Sequence, residues 1–412
     1  RKLPRKTLPR SGARSFAGHW AQDLIESFGL PGSSPAAINM HRDGRDSADA
    51  LFSVMSSAVS RLDICTYILG DDAFGREAMQ RMIERARCGV DVRLLLDGVG
   101  AIQLPRVCFK SLELGGVETA TFSPLFARRT QGPRNLRNHR KMVIADGVHL
   151  WAGGRNLAAE YFLGIAGAPA WRDLTFDLRG PVAEAAAAQF ELDWVAAGGK
   201  PASADATTVA TTVATAVATS DAAAVIAGNA SQSAAGEAQF LPSGPDQSED
   251  TVHALLIDGC FQARDRMLAV TPYFVPDVSL ETAMRLAARR GVRVDLVIPA
   301  SSNHRLADFA RSRALRSLSQ AGVNIHLMPY MSHAKAVVFD HSLALSGSVN
   351  LDSRSLLLNY ECAVVFYGRA EIDWLAHWID AQIPQTVPFD CRPPGLLRDL
   401  CEGLLLTVAY QL

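Results

Sequence analysis

The sequence predicts an α/β protein built from two similar halves, on the strength of three observations. Strand patterns alternate with helical ones in each half, a helix exit of Arg, Gly and Val recurs, and one polar constellation appears twice at identical spacing. An Ala/Thr-rich segment divides the two copies.

The bulk properties fit this reading. A chain of 412 residues exceeds one ordinary core and suffices for two. Hydrophobic residues make up 48% and charged residues 20%, which is a globular composition. The net charge of −1 disfavours a protein whose main work is gripping nucleic acid. The seven cysteines include no Cys-x-x-Cys pair, which argues against a disulfide framework or zinc ribbon and for buried free thiols. No apolar run reaches the roughly 18 residues that a membrane-spanning helix needs.

Taken in order, residues 1–35 read as a basic extension. Arg1, Lys2, Arg5, Lys6, Arg10 and Arg14 carry six positive charges with no acid among them. Against an anionic bilayer such a run contributes about 1 kcal/mol per residue, and away from one it is a solvated terminus. The first half spans 36–200. Leu62 to Ile68 forms a strand, Phe74, Ala78, Met79, Met82, Ile83 and Ala86 mark a helix, and Gly89 to Leu96 forms a second strand. Residues 201–236 contain two Asp and no Lys, Arg or aromatic side chain, and read as a linker or insertion. The second half, 237–390, repeats the pattern. A strand at Met267 to Thr271 leads to a helix on Leu280, Ala283, Met284 and Ala287, then to a strand at Gly291 to Ile298. Gly89 and Gly291 act as helix stops. Alternation of this kind implies parallel sheet with helices on its faces. The Leu-rich tail, 391–412, suits an amphipathic helix docked on the core or lying on a membrane.

Each half delivers the same chemistry. His139 and Lys141, Asp146, Gly153-Gly154 and Asn156 match His333 and Lys335, Asp340, Gly347-Ser348 and Asn350 at every offset. Both His-x-Lys pairs open β-like runs, so imidazole and ammonium two residues apart face the same side. Small residues before each Asn let backbone approach a ligand. The eight other histidines (19, 41, 149, 253, 304, 326, 341 and 377) read as surface or satisfied core residues.

The duplicated pattern resembles the phospholipase D superfamily from about Asn39 to Phe366. Three further stretches resemble bacterial cardiolipin synthases: Arg137-Asn138-His139-Arg140-Lys141 with Trp171-Arg172-Asp173, Thr271 to Asp277, and Asn350 to Ser355 running on to Asn359-Tyr360-Glu361. The resemblance implies two halves related by a pseudo-twofold axis, with the active site on their interface. It implies His139 as nucleophile and His333 as general acid, with Lys141, Lys335, Asn156 and Asn350 holding phosphoryl oxygens. Asp173 and Glu361 match positions that orient the far nitrogen of a histidine. Asp146 and Asp340 belong to the motif and brace its loop. Arg140, Ser348, Arg354 and Ser355 are the expected substrate-binding residues.

No metal and no cofactor is expected. The leading expectation is a phosphatidyltransferase acting on phospholipids, phosphatidylglycerol first among them, at an anionic membrane surface. Hydrolysis by the same residues comes second, a nuclease third, and an inactive binding module is disfavoured by two intact half-sites. The resemblance implies a bacterial protein at the cytoplasmic membrane, peripheral as written, with room for an anchor upstream.

Overall fold

The computed structural model describes residues 19–124, 135–201 and 236–392, together with Gly395 and Glu402. The basic run 1–18, the body of the Ala/Thr segment and most of the tail lie outside the described residues.

The first half contains β1 (Ser34–His41), β2 (Arg61–Thr66), β3 (Asp91–Asp97), β4 (Glu118–Phe122), β5 (Met142–Ala145), β6 (His149–Gly153) and β7 (Thr175–Arg179). The second contains β8 (Gly236–Ser243), β9 (Arg266–Val270), β10 (Phe274–Val275), β11 (Arg293–Pro299) and β12 (Asn324–Met328). It continues through β13 (Ala336–Phe339), β14 (Leu343–Gly347), β15 (Leu351–Asp352), β16 (Glu361–Phe366) and β17 (Val387–Pro388). The expected strands and the helices Ala73–Arg87 and Val278–Arg289 are all present.

The halves do not merely abut. Strand β1 pairs antiparallel with β8, fusing both into one 15-stranded sheet ordered 17-12-11-9-13-14-16-8-1-7-6-5-2-3-4. Reading outward from the β1–β8 seam gives the same succession of equivalent strands on both sides, which is the pseudo-twofold relation. Within this sheet the expectation of parallel pairing holds only for β2-β3-β4 and β9-β11-β12, and β10 and β15 form a separate parallel pair. The strands that carry each motif run antiparallel, because a tight turn joins β5 to β6 and β13 to β14 where no crossover helix intervenes.

Alternation along the motif strands sorts side chains into cores. Val143 and Ala145 face a core private to the first half, and Val337 and Phe339 face one private to the second. Met142, Ile144, Ala336 and Val338 face a third core shared by both halves, closed by the helices Pro181–Ala196 and Arg369–Asp380. Phe176 meets Phe366 edge-on at 5.2 Å there, a contact between halves worth about 0.5–1.5 kcal/mol beyond burial. Helix Trp20–Ser27, read from sequence as part of the extension, instead buries Ala21 and Ile25 in the second half's core. Three of the described cysteines are buried thiols, whereas Cys88 and Cys391 are exposed.

Candidate active site

Strand pairing brings the motifs to the site. Met142 pairs with Cys65 and Ala336 with Val270, so each His-x-Lys sits beside the C-terminal end of a parallel strand, where Tyr67 and Tyr273 follow. Within each half, Thr66 and Thr271 hydroxyls donate to the carbonyls of Ile68 and Tyr273, fixing the turn at 3.0 and 2.9 Å.

The decisive geometry runs between halves. The His139 amide donates to the Tyr360 carbonyl at 2.8 Å, and the His333 amide donates to the Arg172 carbonyl at 2.6 Å. Each histidine is thereby tied to the residue just before the other half's carboxylate. As a result His139 Nδ1 lies 3.3 Å from Glu361 Oε1, and His333 Nδ1 lies 2.8 Å from Asp173 Oδ2. The orienting carboxylates are exchanged, each half supplying the one its partner's histidine uses.

The carboxylates are held differently. The Glu361 Oε2 accepts from the Ser348 hydroxyl at 2.5 Å, and its Oε1 from Asn359 Nδ2 at 3.3 Å. Asp173 Oδ1 accepts from the Leu174 amide at 2.7 Å and presses on Gly154, where an added Cβ would lie 2.2 Å from that oxygen. Gly153, at φ 147, lies in backbone space that favours glycine, and a Cβ there would strike the Leu174 carbonyl at 2.4 Å.

Both lysines are buried, and their ammonium groups curl back to the carbonyl of their own histidine, at 2.6 Å for Lys141 and 2.5 Å for Lys335. The Lys141 charge disfavours charging of both Lys335 and His333 across the interface, which places these three groups in one field. Burial, with the Lys335 charge adding to it, pushes His333 down to about 4, and burial pushes Lys335 down to about 7. Burial likewise lowers Lys141. Burial works to raise Asp173 and Glu361, but the His333 and Lys335 charges hold Asp173 below the ordinary carboxylate range. The hydrogen bond and charge of His139, then Lys141, do the same for Glu361.

Asn156 Nδ2 donates to the Tyr161 hydroxyl at 2.8 Å, and Asn350 Nδ2 donates to the Ser355 hydroxyl at 3.1 Å. These partners sit five residues after each Asn, so even the support of the asparagines follows the duplication. A cavity of about 340 Å³ opens beside His139, with Asn350, Arg354, Ser355 and Asn359 from the second half in its walls.

Four of the expected site residues lie away from the cavity. Asp146 and Asp340 stand apart from the cavity: Asp146 accepts from the amides of Val59, Ser60 and Arg61, and Asp340 from those of Arg264, Asp265 and Arg266. Both residues adopt positive φ, 53° and 50°, and brace the turn as their loop position suggested. Arg140, expected to bind substrate, is instead fully buried and outside the lining of the cavity beside His139. The same alternation that aims His139 and Lys141 at the site turns Arg140 into the shared core, where it pairs with Asp193 and Asp246 and donates to the Glu361 carbonyl at 2.9 Å. Ser348 reaches the site only through Glu361.

The sequence reading missed several neighbours. Tyr67 packs on the His139 ring at 4.1 Å, Tyr161 on His333 at 5.0 Å, and His304, set aside with the other histidines, lines the cavity. Burial raises the Tyr67 hydroxyl to about 12, so it stays protonated. The duplication signalled Tyr67, since Thr66-Tyr67 and Thr271-Pro272-Tyr273 end equivalent strands. No cluster of metal-ligating side chains occurs among the described residues.

Known proteins resemble this chain in sequence and in fold. The family described as cardiolipin synthase, phospholipase D-like domain, matches residues 51–168 and 256–383. A cardiolipin synthase A of Pseudomonas aeruginosa is 31% identical over 379 residues, covering 92% of this chain and 73% of that protein. A probable cardiolipin synthase of Bacillus subtilis is 31% identical over 330 residues, 80% of this chain and 62% of that one. Among solved structures, a phosphatidylserine synthase of Haemophilus influenzae Rd KW20 superimposes with a TM-score of 0.68 at 13% identity. It covers 95% of this chain and 100% of that one, a likeness of fold.

Proposed function

The chain belongs to the cardiolipin synthase family of phospholipase D-like proteins, and from that premise we propose that it is a phosphatidyltransferase moving a phosphatidyl group between phospholipids. The observation that carries the proposal is the exchanged pairing of His139 with Glu361 and His333 with Asp173, which places two oriented imidazoles in one field of two lysines and two asparagines.

In the first step the free nitrogen of His139, the more exposed imidazole, attacks phosphorus. The bond to the leaving glycerol oxygen breaks, and His333 gives that oxygen its proton. In the second step His333 takes the proton of an incoming lipid hydroxyl as its oxygen attacks phosphorus, and the bond to His139 breaks. Lys141, Lys335, Asn156 and Asn350 hold the phosphoryl charge throughout. In the empty site His333 is neutral at pH 7, the form the second step needs. Burial chiefly holds it neutral, and a bound phosphodiester offsets the lysine charges that add to this, raising its affinity for the proton the first step spends.

The acceptor decides between transfer and hydrolysis. Water is abundant, so transfer requires a site that excludes it or holds the lipid alcohol in place. Enclosure of His333 by Tyr161, Trp171 and Tyr273 supports exclusion. We expect phosphatidylglycerol liposomes to yield cardiolipin as the main product, with phosphatidic acid minor, by mass spectrometry. Dominant phosphatidic acid in the presence of abundant lipid alcohol would make the protein a phospholipase. Work at a membrane surface follows from these substrates, and no helix among the described residues is long and apolar enough to cross one.

A further inference from the structure

The two halves differ most beneath their carboxylates. Under Glu361 the space is filled by Arg140, with buried Asp193 and Gln189 and the more exposed Asp246 completing the network. The position equivalent to Arg140, one residue after His333, is Ala334. Under Asp173 there is instead a cavity of about 960 Å³, at the upper end of the ~300–1,000 Å³ typical of small-molecule sites.

Its walls are unusual for a void. Trp171, Tyr330, Trp374 and Trp378 supply aromatic surface, and Arg42 and Arg172 supply charge. Arg172 lies over the Tyr330 ring at 5.0 Å, and neither arginine has a carboxylate at ion-pair distance among the described residues. The carboxylates nearby are occupied: Asp43 caps the helix Gly44–Ser57, and Asp173 holds His333. Gln382 is 1% exposed, lines the cavity, and leaves its Oε1 without a partner, as does the Tyr330 hydroxyl. A buried amide oxygen of this kind is destabilising unless something hydrogen-bonds to it. Beside the opening, the segment from Leu163 to Ala170 (Leu-Gly-Ile-Ala-Gly-Ala-Pro-Ala) has no polar side chain, yet Leu163 is 62% and Ile165 54% exposed. Exposed apolar loop, tryptophan and arginine together are the composition of a membrane interface.

We propose that this cavity is a binding site for an anionic glycerophospholipid drawn from the bilayer. Its phosphate sits between Arg42 and Arg172, a headgroup hydroxyl donates to Gln382 Oε1, and an acyl chain lies along Trp374 and Trp378. The choice of lipid rests on the phosphatidyl chemistry proposed above, whereas the cavity's charge and aromatic lining do not depend on it. Because Trp171 and Asp173 form a wall of this cavity and also touch His333, occupancy here bears on the active histidine of the second half.

The test uses the full chain carrying His139→Ala, so that turnover does not consume the probe. Vesicles containing phosphatidylglycerol with a photoreactive diazirine in one acyl chain are irradiated, and labelled peptides are mapped by mass spectrometry. Label is expected in 163–172 and 374–382, and it should fall by at least about tenfold in Arg42→Glu/Arg172→Glu, from loss of attraction for the phosphate. Melting curves check that the variants fold, and Ala381→Trp, which fills the cavity from an exposed position, supplies the same readout independently. Label confined to residues around His139, equal label from a phosphatidylcholine probe, or undiminished label in both variants would overturn the proposal. Inorganic phosphate that abolishes labelling at lipid concentrations well above saturation would make this a free-anion site and overturn the lipid assignment. Cardiolipin formation without labelling here removes this inference alone, and labelling without cardiolipin formation removes the transfer reading alone.

Discussion

His139 and His333 occupy equivalent positions in a duplicated fold and carry the same motif, yet their surroundings diverge. The His139 side chain is 22% exposed, faces an open cavity, and leans on one aromatic ring, Tyr67. The His333 side chain is 8% exposed and enclosed by three. Its carboxylate partner sits at 2.8 Å against 3.3 Å for His139. Two copies of one motif thus give an accessible imidazole and a sheltered one. A site that needs one group to bond phosphorus and another to shuttle a proton requires that inequality, which identical environments cannot supply.

The sharpest way to break the comparison is to remove each histidine. His139→Ala and His333→Ala should each lower turnover by at least ~10²–10⁴-fold, the range for general acid–base catalysis alone. They should fail differently. With a phosphodiester whose leaving group departs without a proton, His333→Ala should still accumulate an acid-labile, alkali-stable phosphohistidine, whereas His139→Ala should accumulate none. Phosphoenzyme in His139→Ala and none in His333→Ala would reverse the roles.

The exchanged carboxylates sharpen it further. Asp173→Asn should behave like loss of His333 and Glu361→Gln like loss of His139 in the same trapping assay. Each should cost on the order of 10²–10⁴ in kcat, with Asp173→Asn the more severe given its shorter bond. If Asp173→Asn instead prevents phosphoenzyme formation, pairing within a half governs and the exchange has no functional weight.

A third contrast concerns the residue between His and Lys. Arg140→Met strands the buried Asp193 in the shared core and should cost about 3–5 kcal/mol of stability, read by chemical denaturation. Ala334→Ser, in the other copy, should cost far less. Equal effects would show that the Arg140 network lacks the structural weight given to it here.

The smallest expected effect is a proton count. Lys335, held near 7, and His333, held near 4, both bind fewer protons in the empty site than they would in water. Folding therefore gains stability as pH rises through 4 to 6.5 from His333, and loses it again on acidification. An anion at the site raises both groups, so sulfate binding near pH 7.5 should take up a fraction of a proton per site, through Lys335. Calorimetry in buffers of different ionisation enthalpy measures it, and Lys335→Met should abolish it. Proton release on sulfate binding would contradict the assigned field.

Much of the site was legible because its logic is local. The spacing of His139, Lys141 and Asn156, repeated at His333, Lys335 and Asn350, reflects strand alternation and a short hairpin, both written within about twenty residues of sequence. The expectation of a substrate-binding Arg140 ran against that same rule, since a residue between two that face the site must face away. Asp146 and Asp340 were placed at a loop by their position, and the amides they hold belong to β2 and β9, far off in the chain. Tyr67 was signalled only by its place after a duplicated strand, and His304 carried no motif at all, so that packing alone brings it to the cavity.

The sequence by itself therefore determined the duplication, the α/β character, and the two His-x-Lys pairs with their following asparagines. Each follows from periodicity and offset, which operate over a few residues. Only the tertiary structure decided that Asp173 serves His333 and Glu361 serves His139, that β1 and β8 weld the halves into one sheet, and that the space filled by Arg140 stands open beneath Asp173. The physical reason is that these are relations between surfaces. A hydrogen bond from the His139 amide to the Tyr360 carbonyl spans more than two hundred residues of chain, and its partner is selected by how two folded halves pack, for which neither half's sequence carries a local signal.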